Sequence, residues 1–466
     1  MNDRKAIEMW EQSIKNDGGH YEMTIPFKQQ PNFPDNQAMA LKRLDSLRKN
    51  LIRNPKMMHD YKSCINDTLM NGYAVKLSDE HMSRADGAVW YLPHHGVIHP
   101  RKQKLRIVFD CAAKFEGVSL NDCILQGPDL TSKLVGVLAR FRQERIAIMA
   151  DIKVMFCQVH VTPKDQDVLR FLWWPNGDIN RDPEVYRMTI HLFGGVWSPS
   201  CASFALLRTA DDNRSDFPDV VTSCIRMNFY VDDFLKSVPN ENDTVMVVNQ
   251  LTELLSRGGF HLTKWVSNSR EVLEAVAEDD RSEDVKLLDL SQDRLPAECA
   301  LGVFWDIETD SFSFRSVNKN KPFTRRGILS VVSSVYDPLG LLCPFVFPAK
   351  VIVQDLCRKK YGWDDELSPD DVVRWLQWLE DLPKVEQVKV RRCLKPPDNF
   401  EVSKYSLHHF CDASQIGYGV ASYVRMESAA KQPHCCLVLG KSSVTYQVDY
   451  YTASGTHGCS TCSKDG

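Results

Sequence analysis

The stretch that most constrains this chain is Cys224-Ile-Arg-Met-Asn-Phe-Tyr-Val-Asp-Asp-Phe-Leu-Lys-Ser-Val238, where two apolar, aromatic and β-branched runs flank the bare carboxylate pair Asp232 and Asp233. Runs of this composition favour strands, and the acids sit where the chain must reverse, so the pattern predicts a β-hairpin. Asp tolerates turn geometry, and an exposed Asp-Asp turn is one explanation. Two adjacent anions at the tip of an apolar hairpin nevertheless repel each other unless a cation lies between them, and hard oxygen ligands of this kind suit Mg²⁺. That second explanation needs a third carboxylate from another strand.

Asp151 is the candidate. It ends the strand Ile146-Ala-Ile-Met-Ala150, which is apolar enough to be buried on both faces. Alone, it reads as a strand-terminal residue or a helix cap. Around it the order is strand, helix, strands, helix, hairpin, helix, strand, which predicts a split βαβ unit with an antiparallel sheet. In that topology the end of the 146–150 strand can neighbour the tip of a hairpin that pairs with it. One carboxylate on one strand and two on a hairpin can hold a pair of divalent ions roughly 3.5–4 Å apart. The backbone carbonyl of Ile152 is a natural additional ligand.

At 466 residues the chain is too long for one core. It has no apolar run of the ~18 residues a membrane span needs, and its N-terminus lacks the apolar centre of a signal peptide. Fifteen scattered cysteines point to reduced thiols and a cytoplasmic protein. A net charge of −4 makes no global case for nucleic-acid binding. The stretches His99–Arg106, Arg315–Arg326 and Lys389–Lys395 are locally basic, however, and either line a cleft or form solvated faces.

Periodicity places helices over Ala6–Lys15, Asn36–Met70, Leu130–Phe141 (started by Asp129 or Thr131), Ser200–Ala210 and Asp243–Arg257. Strands are predicted at Ala88–Leu92 and Gly96–Ile98 around a Pro93-His94-His95 turn, and at Leu105–Phe109. Val168–Trp174 pairs with Glu184–Thr189, and Leu301–Phe314 forms a hairpin.

Asp151-Ile-Lys-Val-Met-Phe-Cys-Gln-Val159 with Tyr230-Val-Asp-Asp233 resembles the active site of a reverse transcriptase. More narrowly, several blocks resemble the polymerase region of BEL/Pao-type LTR retrotransposons. They are Arg106-Ile-Val-Phe-Asp-Cys-Ala-Ala, Ser119-Leu-Asn-Asp, Leu169-Arg-Phe-Leu-Trp-Trp, Gly259-Phe-His-Leu-Thr-Lys-Trp with Ser267-Asn-Ser, and Ser334-Val-Tyr-Asp-Pro-Leu-Gly-Leu-Leu. The likeness runs in order from about His20 to Ser442.

The resemblance implies an α+β right-hand polymerase with fingers, a ferredoxin-like palm and a thumb, then a connection region and an incomplete RNase H-like α/β domain. The implied ranges are a leader and helical extension at 1–70, fingers and palm at 71–255, thumb at 256–320, connection at 321–398 and RNase H-like residues at 399–466. Asp151, Asp232 and Asp233 become a catalytic, metal-binding triad for two Mg²⁺ ions, with Mn²⁺ as a substitute. Arg106 matches an arginine that grips the incoming triphosphate, with Lys102 or Arg101 assisting. Phe156 matches an aromatic residue that excludes a 2′-hydroxyl. Phe193-Gly194-Gly195 aligns with a loop that contacts template and nucleotide, and Lys264 with a lysine near the pyrophosphate. The implied activity is RNA-directed DNA polymerisation, with primer–template duplexes (RNA/DNA and DNA/DNA) and dNTPs as partners. Other polyprotein segments and retrotransposon particles belong to the same expectation. The rival reading is an inert remnant that at most binds nucleic acid.

Leu407-His-His-Phe-Cys-Asp412-Ala-Ser followed by Gly417-Tyr-Gly-Val-Ala-Ser-Tyr resembles the first strands of an RNase H domain, with Asp412 as its first carboxylate. The next helix and its glutamate do not follow, and the tail after Val444 looks foreign to such a domain, so no RNase H activity is expected. Cys459, Cys462 and His457 lack a second ligand pair for zinc, and no Asp-Thr-Gly or Asp-Ser-Gly protease motif occurs.

Overall fold

The computed structural model describes residues 2–78, 82, 86–98, 104–316, 320–396 and 400–445. The chain divides into two units, neither continuous in sequence. The first comprises Met1–Thr131, Ile152–Arg226 and Asn249–Leu262, and the second Ser132–Asp151, Met227–Val248 and Thr263–Gly466. The division falls inside a strand, between Asp151 and Ile152.

The second unit is built on the sheet that carries the acids. Helix α1 (Leu134–Phe141) precedes strand β1 (Ile146–Ile152), followed by β2 (Phe229–Tyr230), β3 (Asp233–Val238) and β4 (Leu262–Ser267). The spatial order is β2-β3-β1-β4, and β3 runs antiparallel to both β2 and β1. In this register Asp233 stands opposite Asp151, Leu235 opposite Met149 and Ser237 opposite Ala147. Because side chains alternate, the aspartates share a face with Leu235 and Ala147. That face packs on Val137, Leu138 and Phe141 of α1, with Met149 and Tyr230 at its margin. On the opposite face Phe229 and Phe234 lie 5.0 Å apart, and Phe234 meets the edge of Trp265 at 6.0 Å. A one-residue slip would turn Asp233 onto this aromatic face, so burial on both sides pins the carboxylates in register.

The hairpin is shorter than its sequence suggests. Cys224–Met227 ends a helix, Asp219–Met227, rather than forming a strand. Val221, Cys224 and Ile225 are buried at helical spacing, so the apolar run there has period 3.6, not 2. The start of α1 also moves. Asp129 accepts the Thr131 N–H (3.0 Å) in a local turn, which holds the chain out of the helix until Leu134.

Beyond this sheet the second unit carries a four-stranded antiparallel sheet, β5 (Ala297–Ala300), β6 (Val303–Asp306), β7 (Ser311–Ser313) and β8 (Lys389–Arg391). Three helices, Arg325–Val332, Cys343–Arg358 and Pro369–Asp381, pack around Trp375 and Trp378. A three-stranded antiparallel sheet follows: β9 (Val402–Ala413), β10 (Gly417–Ser428) and β11 (Pro433–Val444). Two buried arginines bind these parts together. Arg392 pairs with both oxygens of Asp310 (2.6 and 2.9 Å) and donates to the carbonyls of Phe141, Glu144 (3.0 Å) and Arg145 (2.7 Å). Arg142 donates to the carbonyls of Arg392 (3.1 Å), Leu437 (2.9 Å) and Val438 (3.1 Å), and burial pushes its guanidinium down to about 10. At Gly340, where φ is +68°, a Cβ would collide with the Gly440 carbonyl, so only glycine permits that contact.

In the first unit the long helical stretch breaks at Asn54-Pro55 into Gln37–Arg53 and Pro55–Met70. The Asn54 side chain accepts the Met57 N–H (3.1 Å) and Pro55 occupies the first helical turn. His94 and His95 belong to a strand, His94–Ile98, paired with Leu105–Phe109, rather than to a turn, and Ala88–Leu92 forms no regular strand. His94 is buried. Its Nδ1 takes the Tyr61 hydroxyl (2.5 Å) and its Nε2 faces the Leu172 carbonyl (2.9 Å). Burial pushes this imidazole down to about 4, so it is neutral and spans the core as a polar pin. The predicted pair of strands appears as Arg170–Trp173 against Glu184–Met188.

Candidate active site

Three carboxylates meet at one end of the β2-β3-β1-β4 sheet. Register places Tyr230 opposite Asp233, leaving Val231-Asp232 as a two-residue turn. Val231 has a φ of +58°, and Asp232 is not among the positive-φ residues, which is the sign pattern of a type II′ hairpin turn. Glycine normally fills that first position. A β-branched residue there costs about 1–3 kcal/mol, held by the aromatic pairing of Phe229 and Phe234 below it.

Burial first, then the neighbouring Asp232 and Asp151 charges, pushes the Asp233 carboxyl up from its usual 3.8 to about 7, with Lys264 opposing. Asp151 is turned toward Lys264, whose Nζ lies 2.7 Å from Asp151 Oδ2. The Thr263 hydroxyl reaches the Asp151 carbonyl at 3.4 Å. Ile152 is the last, buried residue of β1.

The donor set fits a hard divalent cation. All three side chains offer anionic oxygens, and Asp233 is poorly accommodated as an anion without a counter-charge. Among the described residues no three metal-ligating side chains stand in a ready coordination arrangement. At present the counter-charge facing Asp151 is an ammonium.

The nucleotide candidates that can be placed lie mostly in the first unit. Phe156 sits half-buried on the short turn Met155–Gln158, after left-handed Val154 (φ +45°). Its ring lies 5.8 Å from that of Phe193, which is 65% exposed. Thus Phe156 and the Phe193-Gly194-Gly195 loop, separate in sequence, meet in space. Gly194 has a φ of +113° and a Cβ there would press on the Phe109 carbonyl at 2.9 Å, so the close approach requires glycine. Asn121 clamps the loop, donating from Nδ2 to the Gly194 carbonyl (3.3 Å) and accepting the Val196 N–H at Oδ1 (3.1 Å). Arg106 is exposed on the strand Leu105–Phe109, opposite Val97. Lys102 and Arg101 fall outside the described residues.

Asp412 is exposed near the end of β9, its carboxylate accepting the Ala413 N–H (2.9 Å). Cys459, Cys462 and His457 lie outside the described residues. Two contacts of the site have no signal in residue type. Asn121 lies in the Ser119-Leu-Asn-Asp stretch, and its amide is what two converging backbone groups of a glycine loop require. The Asp151–Lys264 pair joins positions 113 apart, and no local pattern signals it.

The structure is similar to two solved foamy viral protease–reverse transcriptases. One, a dRH form in complex with double-stranded DNA, matches at 15% identity and a TM-score of 0.50, covering 82% of this chain and 54% of that one. The other, also in complex with double-stranded DNA, matches at 14% identity and a TM-score of 0.50, covering 95% and 76%. The chain therefore spans about half the length of the first. Comparison with curated protein sequences finds no match. The fold is a mixed α/β fold resembling a retroviral reverse transcriptase with an RNase H-like domain.

Residues 324–452 match the model of the Pao retrotransposon-like RNaseH-like domain, a span that begins at the three helices and runs through β9, β10 and β11. This family match covers less than a third of the chain, all of it in the second unit, while the likeness to the solved structures concerns the fold. No helix of the described residues is long and apolar enough to cross a membrane.

Proposed function

We propose that this chain is the RNA-directed DNA polymerase of a retrotransposon, extending a primer on an RNA or DNA template with dNTPs. The observation that carries this reading is the register that sets Asp233 directly beside Asp151, with Asp232 in the adjoining turn. A polymerase-like fold around such a triad supports the assignment, as do foamy viral relatives solved on double-stranded DNA.

Asp151, Asp232 and Asp233, with the Ile152 carbonyl, would hold a pair of divalent ions, Mg²⁺ or Mn²⁺. When bound, these supply a lowered pKa for the attacking 3′-hydroxyl and charge neutralisation for the departing pyrophosphate. The remaining roles belong to the chain itself. Arg106, with Lys102 beside it in sequence, offers donors to the triphosphate oxygens. Phe156, braced by Phe193, presents a ring that leaves no room for a 2′-hydroxyl. Gly194 and Gly195 give template and nucleotide close backbone approach. Lys264 carries a proton that can pass to the leaving group. The RNase H-like strands retain Asp412, and the proposal assigns them no cleavage activity.

Primer extension on poly(rA)–oligo(dT) with Mg²⁺ or Mn²⁺ tests the reading. Wild type should extend, and Asp232→Asn should abolish extension while leaving primer–template binding largely intact. A folded wild-type chain that binds the duplex yet adds no nucleotide would favour an inert remnant.

A further inference from the structure

Lys264 does something at the carboxylate site that the polymerase reading does not require. It belongs to β4, the strand next to β1, yet its φ is +57°, in the left-handed region that a lysine rarely adopts. A left-handed residue within a strand re-aims its own side chain. Here the result is a direct ion pair, Lys264 Nζ to Asp151 Oδ2 at 2.7 Å. The ammonium keeps 52% of its side-chain surface exposed, while Asp151 keeps 24%. The lysine is therefore free to leave toward water, and the carboxylate is not.

We propose that Lys264 is an internal placeholder cation, occupying Asp151 in the resting site and yielding it when a divalent ion arrives. The inference rests on the assignment of Asp151, Asp232 and Asp233 as metal ligands.

Two features support it beyond the distance itself. First, a positive charge at rest is favoured, because Asp233 and Asp151 stand opposite each other in a register fixed by burial on both faces, with Asp232 in the adjoining turn. They cannot separate to relieve repulsion, so what remains is a proton on Asp233 or a mobile cation, and at Asp151 the structure shows the cation. Second, the exchange is one charge for another at one carboxylate. Asp151 is never left bare, and the ammonium is released at the rim of the same site, where an anionic polyphosphate would next be bound. A lysine so placed would weaken binding of ions by themselves, and would favour their arrival with a substrate that also neutralises the freed ammonium.

The test is a Mn²⁺ titration followed by electron paramagnetic resonance, on the full chain without nucleotide or primer–template. Lys264→Met should bind Mn²⁺ about two- to fivefold more tightly than wild type, the range corresponding to loss of one competing exposed ion pair. Lys264→Arg, which keeps the cation, should stay near wild type. The gap should narrow in high salt as the ion pair is screened. Adding a non-hydrolysable dNTP analogue should reduce or reverse it, because the freed ammonium then has an anionic partner. If wild type binds Mn²⁺ through Asp232 (shown by loss in Asp232→Asn) but Lys264→Met binds no more tightly, the placeholder role is refuted and the metal site stands. If Asp232→Asn binds Mn²⁺ as wild type does, the metal-site assignment itself fails.

Discussion

Replacing Asp233 with asparagine should stabilise the metal-free protein, and the gain should depend on pH in one direction only. The Asp233 carboxyl is pushed up from 3.8 to about 7, chiefly by burial and then by Asp232 and Asp151. In the unfolded chain it titrates at its ordinary value. Between the two, the folded protein binds a proton that the unfolded chain has lost, so stability falls as pH rises and levels off above about 7. At about 1.36 kcal/mol per pH unit, the interval gives roughly 4 kcal/mol in all, of which nearly 3 lie between pH 5 and pH 8. Partial water access reduces this to about 2 kcal/mol, or roughly 4–8 °C of melting temperature for a unit of 150–250 residues. The assay is thermal unfolding of wild type and Asp233→Asn in EDTA at several pH values. The melting-temperature gap should widen from pH 5 to pH 8 in favour of the variant, and titrating groups remote from the site cancel in the difference. Saturating Mg²⁺ should reverse the order at pH 8, because the variant lacks one of the three proposed carboxylate ligands and binds the ion more weakly. A gap that stays constant across the pH range would refute the claim that Asp233 is held against ionisation by its neighbours.

Phe156→Val should lower the dNTP-over-rNTP ratio of kcat/KM on the order of tenfold or more, since a removed ring frees space beside the sugar. Unchanged discrimination in steady-state kinetics would remove Phe156 from the sugar site. Arg392→Met should destabilise the second unit by about 3–5 kcal/mol, because Asp310 and several backbone carbonyls lose their buried partner together. Urea denaturation and limited proteolysis would read the loss, and adding Asp310→Asn should recover part of it.

The parts of this site that were legible in the sequence are those where chemistry dictates residue type. Apolar and β-branched runs on either side of a carboxylate pair specify a hairpin tip, and the structure sets Asp233 of that hairpin opposite Asp151. The strand before Asp151 contains only apolar residues, so its position inside a sheet follows from composition. Local competition was less legible. Four residues, Cys224–Met227, fit period 2 or period 3.6 equally well, and only the helix beginning at Asp219 decides between them. Asp129 is a good helix cap by type, yet its carboxylate satisfies Thr131 first. His94 carries a polar side chain into a core because Tyr61 and the Leu172 carbonyl satisfy both ring nitrogens, and those partners lie 33 and 78 residues away. Lys264 is the extreme case. Its role at the carboxylates depends on a backbone angle that no residue type announces, and on a partner 113 residues distant. A sequence thus reveals which charges a site must contain, whereas which cation answers them at rest is decided by tertiary register. That is why the placing of Asp151 beside the Asp232-Asp233 hairpin can be read from the residues, whereas the ion pair between Lys264 and Asp151 cannot.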